Sequence, residues 1–362
     1  MSTSPKILII RLSSLGDILH TLPAFAGLRE AFPDARIDWL VAGQFEFLLS
    51  AFRVPALRGI DEIHALHPVP PHSRSGNRHS WGWAWNTVRN LRARHYDISI
   101  DFQGLLKTAF LGLISGSGTR LGFSGDLVRE PPAHRFYHQT LAQPQKEVHV
   151  LRLNQMLAGL AGAHSTSAAC DFAVAEDDRN AVDSLLRRNG LEDFIVINPG
   201  GGWPTKRWSP ARYGILAKRI QQELGLRVAV TTGPGEELFY RTIADQCGKS
   251  APLHFPVSFL QLIPLLENSR LFIGGDTGPY HLACALGAAT VGIFGPTSPI
   301  RNGPWREEEE IVAHTLPCSF CYGRTCRTNN ECMDITVDEV FSAVIRRLES
   351  RRFENPGDAT GV

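Results

Sequence analysis

The sequence lacks any apolar run long enough to cross a bilayer, because LLKTAFLGLISG is bounded by Lys107 and glycines and is shorter than the roughly 20 residues needed. It also lacks a secretory core, since Arg11 interrupts the N-terminal run KILIIR. Neither sign of charge is in excess: 37 Lys plus Arg face 36 Asp plus Glu. A general nucleic-acid binder needs such an excess. We therefore expect a cytoplasmic protein that binds no nucleic acid.

What is present is a chain of 362 residues in which short β-branched runs alternate with helical patterns. This alternation predicts an α/β fold with parallel sheets flanked by helices. The small-residue segment GAHSTSAA interrupts the alternation, which then starts again. We predict two doubly wound, Rossmann-like domains, 1–168 and 169–353, that face a central cleft, followed by a flexible tail at 354–362.

The first strand is followed by RLSSLGDILHTLPA, in which Ser14 and Gly16 lie in a tight turn and Asp17 opens the next helix. Open parallel sheets bind ligands at such strand-to-helix turns, so Asp17 is a candidate for chemistry. The alternative is that Asp17 only caps the helix and complements its dipole. The turn lacks the G-x-G-x-x-G spacing of a dinucleotide fingerprint.

The second half begins with NPGGGWPTKRW, where Gly200 and Gly201 allow an anion to approach the backbone and Lys206 adds a positive charge. This composition favours a diphosphate, and a flexible surface loop is the alternative. In TTGPGEELF, Glu236 and Glu237 follow a turn at a strand end, a position suited to ribose hydroxyls or to helix capping.

The segment FIGGDTGPYHLACALG places Asp276, Thr277 and Gly278 between a buried strand and a helix whose first amides lack partners. Such a helix start binds phosphate. Because Asp276 would repel phosphate, we expect it to accept hydrogen bonds from amides or ligand hydroxyls. His281, one turn into the helix, is a candidate ligand contact, although a lone histidine is more often a packing residue.

Other polar side chains of the first half are candidates for holding an acceptor that carries a carboxylate or a phosphate. They are Gln103, Lys107, Arg120 and Arg129. Taken singly, each of the three cations, Lys107, Arg120 and Arg129, is more often ordinary surface charge.

Four of the seven cysteines crowd into CSFCYGRTCRTNNEC, as Cys318, Cys321, Cys326 and Cys332. The opening C-x-x-C is typical of a tetrahedral thiolate site, whereas the later spacings are irregular. A structural zinc or iron–sulfur site is one hypothesis, and reduced packing thiols or disulfides formed in air are the alternative.

Taken together, RLSSLGDILHTLPA, DFQGLLKTA, NPGGGWPTKRW, GPGEE and GGDTGPYHLACALG resemble the lipopolysaccharide heptosyltransferase family of GT-B glycosyltransferases. The resemblance spans nearly the whole chain. The N-terminal segments are most similar to heptosyltransferase I members, which add the first heptose to the Kdo of the inner core. The cysteine segment is more similar to heptosyltransferase II and other relatives.

The resemblance implies inverting transfer from ADP-L-glycero-D-manno-heptose to Kdo-lipid A, with no metal or other cofactor in catalysis. It implies Asp17 as general base and Lys206 at the diphosphate. It also implies donor contacts at Asp276, Thr277 and Gly278, and a ribose contact at Glu236 or its neighbour. Ser14 and Gly16 of the base motif are assigned to the acceptor.

We also expect a monomer that contacts the inner membrane surface peripherally, near Trp81–Arg94. The alternatives are heptosyltransferase II or a related glycosyltransferase with another acceptor or nucleotide sugar, an epimerase, and a sensor without catalysis.

Overall fold

The computed structural model describes residues 4–53, 58–67, 79–168 and 170–354. For residues 79–86 and 352–354 it describes the backbone only. Contacts between Cα atoms divide the chain into two compact units, Met1–Ala173 and Val174–Val362. The first unit extends past residue 168 because the strand Asp171–Phe172 pairs with Phe52–Arg53 of the same unit. The predicted tail lies, from residue 355 on, outside the described residues.

Unit 1 contains a six-stranded parallel sheet of order β4-β2-β1-β5-β6-β7 and the separate antiparallel pair β3–β8. Its described strands are β1 Lys6–Ile10, β2 Arg36–Ala42, β3 Phe52–Arg53, β4 Glu62–Leu66, β5 Ile98–Asp101, β6 Thr119–Phe123, β7 Gln139–Leu141 and β8 Asp171–Phe172. Its described helices are α1 Leu15–Leu19, α2 Leu22–Ala31, α3 Glu46–Ala51, α4 His79–Arg94, α5 Leu106–Ile114 and α6 Val150–Gly159.

Unit 2 repeats the arrangement with a six-stranded parallel sheet of order β11-β10-β9-β12-β13-β14. Its described strands are β9 Phe194–Asn198, β10 Arg227–Val230, β11 Leu253–His254, β12 Leu271–Gly275, β13 Thr290–Phe294 and β14 Glu310–Ala313. Its described helices are α7 Glu176–Arg188, α8 Pro210–Arg219, α9 Glu237–Cys247, α10 Leu262–Glu267, α11 Gly278–Leu286, α12 Pro299–Asn302 and α13 Val337–Glu354.

The central strands are apolar runs because helices cover both faces of a parallel sheet. Ile7–Ile10 of β1 and Phe194–Asn198 of β9 are buried along their length. In both sheets the strand order reverses beside this central strand, between β1 and β5 and between β9 and β12. Ligands bind at such switch points, just beyond the carboxyl ends of the strands. The order therefore marks one candidate site in each unit.

Helix ends in unit 2 follow residues that favour them. Ser209 is the N-cap of α8 and Pro210 its first residue, and Gly225, with a left-handed φ of 68°, ends the segment. The last turn, Ile220–Leu224, is π-helical rather than α-helical. The short helix α10 starts at Leu262. No helix in the described part of the chain is long and apolar enough to cross a membrane.

Candidate active site

Asp17 lies in the first turn of α1, at the switch point of unit 1. Its Oδ2 accepts hydrogen bonds from the Ser14 backbone N (3.0 Å) and Oγ (2.9 Å), which completes a capping box. Asp17 therefore caps the helix, as the alternative interpretation predicts. Capping does not use the whole carboxylate group, because the Asp17 side chain remains 17% exposed.

Two arginines surround the Asp17 carboxylate. Arg11, at the end of β1, is buried and places Nη2 2.7 Å from Oδ1, whereas Arg129 is exposed and lies 3.7 Å from Oδ2. Burial by itself raises the pKa of Asp17, but Arg11, Arg129 and the Ser14 hydrogen bonds outweigh it and hold this pKa below its ordinary value. Asp17 is therefore ionised, and able to accept a proton, at neutral pH.

Gln103 supports the Asp17 loop from β5. Its Oε1 accepts hydrogen bonds from the backbone N of Leu12 (2.7 Å) and Ser13 (3.1 Å), and its Nε2 donates to the Ser13 Oγ (3.1 Å). The side chain is buried. Gln103 thus fixes the loop in this structure, rather than standing free for an acceptor.

Asp101 is a buried carboxylate that the sequence analysis missed. It accepts hydrogen bonds from the backbone N of Gln103 (2.8 Å) and Gly104 (3.2 Å) and from the Tyr137 hydroxyl (2.7 Å). Burial raises the pKa of Asp101 above its ordinary value, although these hydrogen bonds act to lower it. The signal available in the sequence was an acidic residue at the end of an apolar strand.

Of the remaining acceptor candidates, Ser14, Gly16 and Arg129 lie at Asp17, whereas Lys107 and Arg120 lie on other elements. Lys107 is exposed on α5, and Ser14 and Gly16 lie in the Asp17 turn. Arg120, on β6, donates from Nε to the Phe136 carbonyl (2.7 Å), and its Nη2 lies 2.8 Å from the His138 Nε2. The structure therefore places Arg129 beside Asp17 and directs Arg120 toward the segment after the short 3₁₀ turn Pro131–Phe136.

In unit 2, Glu236 joins two glycine turns. Its Oε2 accepts from the Gly233 N (2.8 Å) and its Oε1 from the Gly201 N (3.3 Å). A Cβ on Gly200 would lie 2.3 Å from Oε2, so glycine is required for this close approach. Glu237 is exposed and accepts only a long bond (3.4 Å) from Gly235 N among the hydrogen bonds described. Glu236 is therefore the better-placed of the two.

Lys206, Asp276 and His281 form a buried cluster at the switch point of unit 2. The Lys206 Nζ lies 2.6 Å from the Asp276 Oδ2, and the His281 Nε2 lies 2.8 Å from Oδ1. Burial raises the pKa of Asp276, but the His281 hydrogen bond and the charge of Lys206 reverse this and lower it. The partners of Asp276 are thus two side chains rather than the expected amides. His281 is buried and hydrogen-bonded to Asp276, which is the contact expected of a packing residue rather than of a ligand contact.

The start of α11 completes this region. Thr277 is the N-cap and its Oγ1 accepts from the Tyr280 N (3.5 Å), while Gly278 is the first helical residue. The Lys206 Nζ also lies 4.4 Å from the centroid of the Trp203 ring. A cation and the first amides of a helix therefore lie close together, which is the arrangement that binds phosphate.

The four clustered cysteines do not form a compact ligand set. Cys318, Cys321 and Cys326 are exposed free thiols and Cys332 is a buried one. Within the described ranges, three or more candidate ligand atoms lie within 4.8 Å of one another only at Asp38, Glu62 and His64. The guanidinium groups of Arg36 and Arg94 bond to Glu62 there, and their charge opposes a cation.

Comparison with known proteins identifies the family of this chain. The sequence model of glycosyltransferase family 9 (heptosyltransferase) matches residues 84–331. The chain belongs to glycosyltransferase family 9. A family 9 relative, lipopolysaccharide heptosyltransferase 1 of Pseudomonas aeruginosa, is 30% identical over 89% of this chain and 87% of its own length. The predicted family and enzyme class, a glycosyltransferase, are confirmed.

Solved family 9 structures confirm the predicted GT-B fold. The E. coli heptosyltransferase WaaC with ADP superposes with a TM-score of 0.73 at 22% identity, covering 94% of this chain and 99% of that one. The E. coli ADP-heptose lipopolysaccharide heptosyltransferase II gives a TM-score of 0.73 at 20% identity, with 96% and 99% covered. Because the two scores are equal, the fold does not separate one acceptor from another.

Proposed function

We propose that this heptosyltransferase of lipopolysaccharide core biosynthesis moves L-glycero-D-manno-heptose from ADP-heptose to the Kdo of lipid A, with inversion. The observation that carries the proposal is the Asp17 carboxylate at the switch point of unit 1, where Arg11 (2.7 Å) and the Ser14 backbone N (3.0 Å) hold it in place. The similarity to a heptosyltransferase 1 over 89% of the chain favours Kdo as acceptor. Heptosyltransferase II and relatives with another acceptor or nucleotide sugar remain the second candidate, favoured by the equal structural match.

Asp17 acts as the general base in this proposal. A sugar hydroxyl is a weak nucleophile, so a carboxylate within hydrogen-bond reach must take its proton as the new C–O bond forms at the anomeric carbon. The bond from that carbon to the β-phosphate oxygen breaks on the opposite face, and ADP leaves with the bonding electrons. Arg11 and Ser14 hold Asp17 ionised and fixed for this step.

Unit 2 holds the donor in this proposal. Lys206 and the first amides of α11, near Thr277 and Gly278, stabilise the charge that develops on the leaving diphosphate. Gly200 and Gly201 admit the phosphates to the backbone, and Glu236 binds the ribose hydroxyls through lone pairs not used by the glycine amides. Asp276 positions Lys206 through their 2.6 Å ion pair, and His281 positions Asp276.

Unit 1 holds the acceptor. Arg129 is exposed beside Asp17 and is suited to the Kdo carboxylate, and Lys107 and Arg120 add positive charge to the same unit. Because one substrate belongs to each unit, we expect the proposed cleft to close before transfer, and small-angle scattering with both ligands should show compaction. We expect a monomer at the cytoplasmic face of the inner membrane.

No metal takes part in the proposed transfer, in keeping with the lack of an Asp-x-Asp motif in the sequence. A structural zinc or iron–sulfur site at the four cysteines stays a prediction. The thiol of Cys326 accepts hydrogen bonds from the backbone N of Thr328 (3.4 Å) and Asn330 (3.2 Å), as thiolate ligands do, but the four thiols are not gathered around one point. Metal analysis of anaerobically purified protein tests it, and absence of zinc and iron contradicts it.

The test is transfer from ADP-heptose to Kdo-lipid A, with lipid product measured by mass spectrometry and ADP release in parallel. We expect Asp17→Ala to lower the rate about 100-fold or more with ADP binding retained. Asp34→Ala, which alters an exposed aspartate of the same unit, is the matched control. ADP release without lipid product indicates a hydrolase, conversion of the donor sugar without ADP release or lipid product indicates an epimerase, and donor binding without any turnover indicates a sensor; each of these outcomes contradicts the proposal.

A further inference from the structure

Helix α5 exposes an apolar stripe. Leu106, Phe110 and Leu113 are spaced by four and three residues, so they share one face, and their exposed fractions are 41%, 51% and 39%. Thr108, Ala109 and Gly112 of the same helix are buried. The other exposed large hydrophobics of the described chain lie singly on other elements, for example Leu238 on α9. Single exposed residues are ordinary, whereas a grouped stripe indicates an interaction surface.

The surroundings of this stripe are basic. Helix α4, which packs against α5, carries exposed Arg89 and Arg92, and α5 itself carries exposed Lys107. Neither helix contains an aspartate or a glutamate. The 3₁₀ turn Pro131–Phe136, which also contacts α5, adds exposed Arg135. An apolar helix face bordered by cations is complementary to the anionic headgroups and acyl boundary of a lipid bilayer.

The stripe is joined to the proposed base through two adjacent residues. The carboxylate of Glu130, an exposed acidic residue, accepts a hydrogen bond from the backbone N of Leu106 (2.6 Å) at the start of the stripe. Its neighbour Arg129 lies 3.7 Å from the Asp17 carboxylate. The stripe and Asp17 are therefore linked within unit 1, so a surface bound at α5 lies next to the acceptor side of the reaction.

We propose that Leu106, Phe110 and Leu113 of α5 insert into the headgroup boundary of an anionic phospholipid bilayer while Arg89, Arg92, Lys107 and Arg135 contact its phosphates. This contact presents Asp17 to an acceptor that is itself anchored in the bilayer. The inference rests on the proposed lipid-linked acceptor for its purpose, but the surface can be tested without turnover. The inference extends the membrane contact expected near Trp81–Arg94 to include α5. Of that earlier range, the side chains of residues 81–86 lie outside those described.

The experiment is co-sedimentation of the full chain with vesicles of phosphatidylethanolamine and phosphatidylglycerol, and with phosphatidylcholine vesicles. The test variant combines Leu106→Ser, Phe110→Ser and Leu113→Ser, and Phe110→Ser alone is the milder variant. Leu238→Ser, at a residue that is 68% exposed in unit 2, is the matched control. Thermal melting checks that each variant is folded.

We expect the wild type and Leu238→Ser to bind the anionic vesicles, the triple variant to bind at least tenfold more weakly, and 0.5 M salt to weaken the wild type through screening. Absence of wild-type binding, or equal binding by the folded triple variant, overturns the proposal; a protein partner for the stripe then replaces the bilayer. If the triple variant does not fold, Phe110→Ser decides the test: weaker binding by this folded variant supports the proposal, and wild-type binding overturns it.

A second assay separates this inference from the proposed function. The triple variant should keep wild-type transfer to a deacylated, water-soluble Kdo acceptor and lose at least tenfold with Kdo-lipid A in vesicles. An equal loss on both acceptors contradicts a membrane role. If the wild type binds vesicles but transfers to neither acceptor, the proposed function fails and the bilayer surface stands.

Discussion

Replacement of Arg11 by methionine should raise the pKa of Asp17 and so move the acid limb of the pH–rate profile. Burial already pushes this pKa upward, and the Arg11 guanidinium, 2.7 Å from Oδ1, is the nearest opposing charge. Arg129, at 3.7 Å and 61% exposed, is farther away and better screened by solvent. Without Arg11, burial is opposed by the charge of Arg129 and by the Ser14 hydrogen bonds.

The direction follows from the sign of the shift. A carboxylate whose folded pKa is depressed is ionised, and stabilising, above its unfolded pKa, and it loses both properties as the pH falls through the folded pKa. Raising the folded pKa therefore moves the loss of active base to higher pH. Removing one partner of a buried ion pair costs about 3–5 kcal/mol of stability. A domain with about 5–15 kcal/mol tolerates the lower end of that range.

The assay is kcat/KM for heptose transfer from pH 4 to 9, in the wild type, Arg11→Met and Arg11→Lys. Arg11→Lys keeps a positive charge near Oδ1 while losing the guanidinium bond to the Phe102 carbonyl, so its acid limb should stay near that of the wild type. A folded Arg11→Met protein with an unshifted acid limb would refute the assignment of Asp17 as the titrating base held by Arg11.

Three further predictions concern unit 2. Gly200→Ala should weaken ADP binding at least tenfold in calorimetry with under about 1 kcal/mol change in stability, because the new Cβ displaces only the flexible end of Glu236. Lys206→Met should lower kcat about 100-fold, since the leaving diphosphate loses its nearest cation, and stopped-flow turnover measures this. His281→Leu should move the acid-unfolding midpoint to higher pH, because leucine cannot donate a hydrogen bond and the pKa of Asp276 rises when its 2.8 Å partner is lost.

Exposed residues of the same unit serve as controls for this set. Lys249→Met removes an exposed lysine, and Asp245→Ala an exposed carboxylate, both remote in sequence from the cluster. Wild-type ADP affinity in Gly200→Ala contradicts a phosphate role for the glycine turn. An unchanged kcat in Lys206→Met, or an unchanged acid midpoint in His281→Leu, contradicts the roles assigned to those side chains.

The central strands and the turns that follow them could be predicted from the sequence, because a strand buried on both faces is a continuous apolar run. The runs at β1 and β9 are examples. Strands β6, β7, β11 and β14, which lie at or beside a sheet edge, could not be predicted in this way. They are two to five residues long and contain polar or glycine residues, so their pairing depends on the neighbouring strand rather than on local pattern.

At the candidate site, glycine turns and helix starts identified Asp17, Lys206 and Asp276 because these features are local in sequence. Partners from distant positions could not be predicted in this way. Arg11 was interpreted only as the end of an apolar strand, and Gln103 approaches the Asp17 loop from 90 residues away. Such contacts depend on which strands become neighbours in the sheet, and the sequence pattern does not determine that pairing.

The antiparallel pair β3–β8 has a consequence for the covalent connection between the units. It anchors Phe172 to unit 1, and α7 of unit 2 begins at Glu176, so only Ala173, Val174 and Ala175 lie between the two anchors. A linker of three residues spans at most about 10 Å when fully extended. A single cut within it by an engineered protease site would divide the polypeptide into two fragments, each of which retains its own six-stranded sheet.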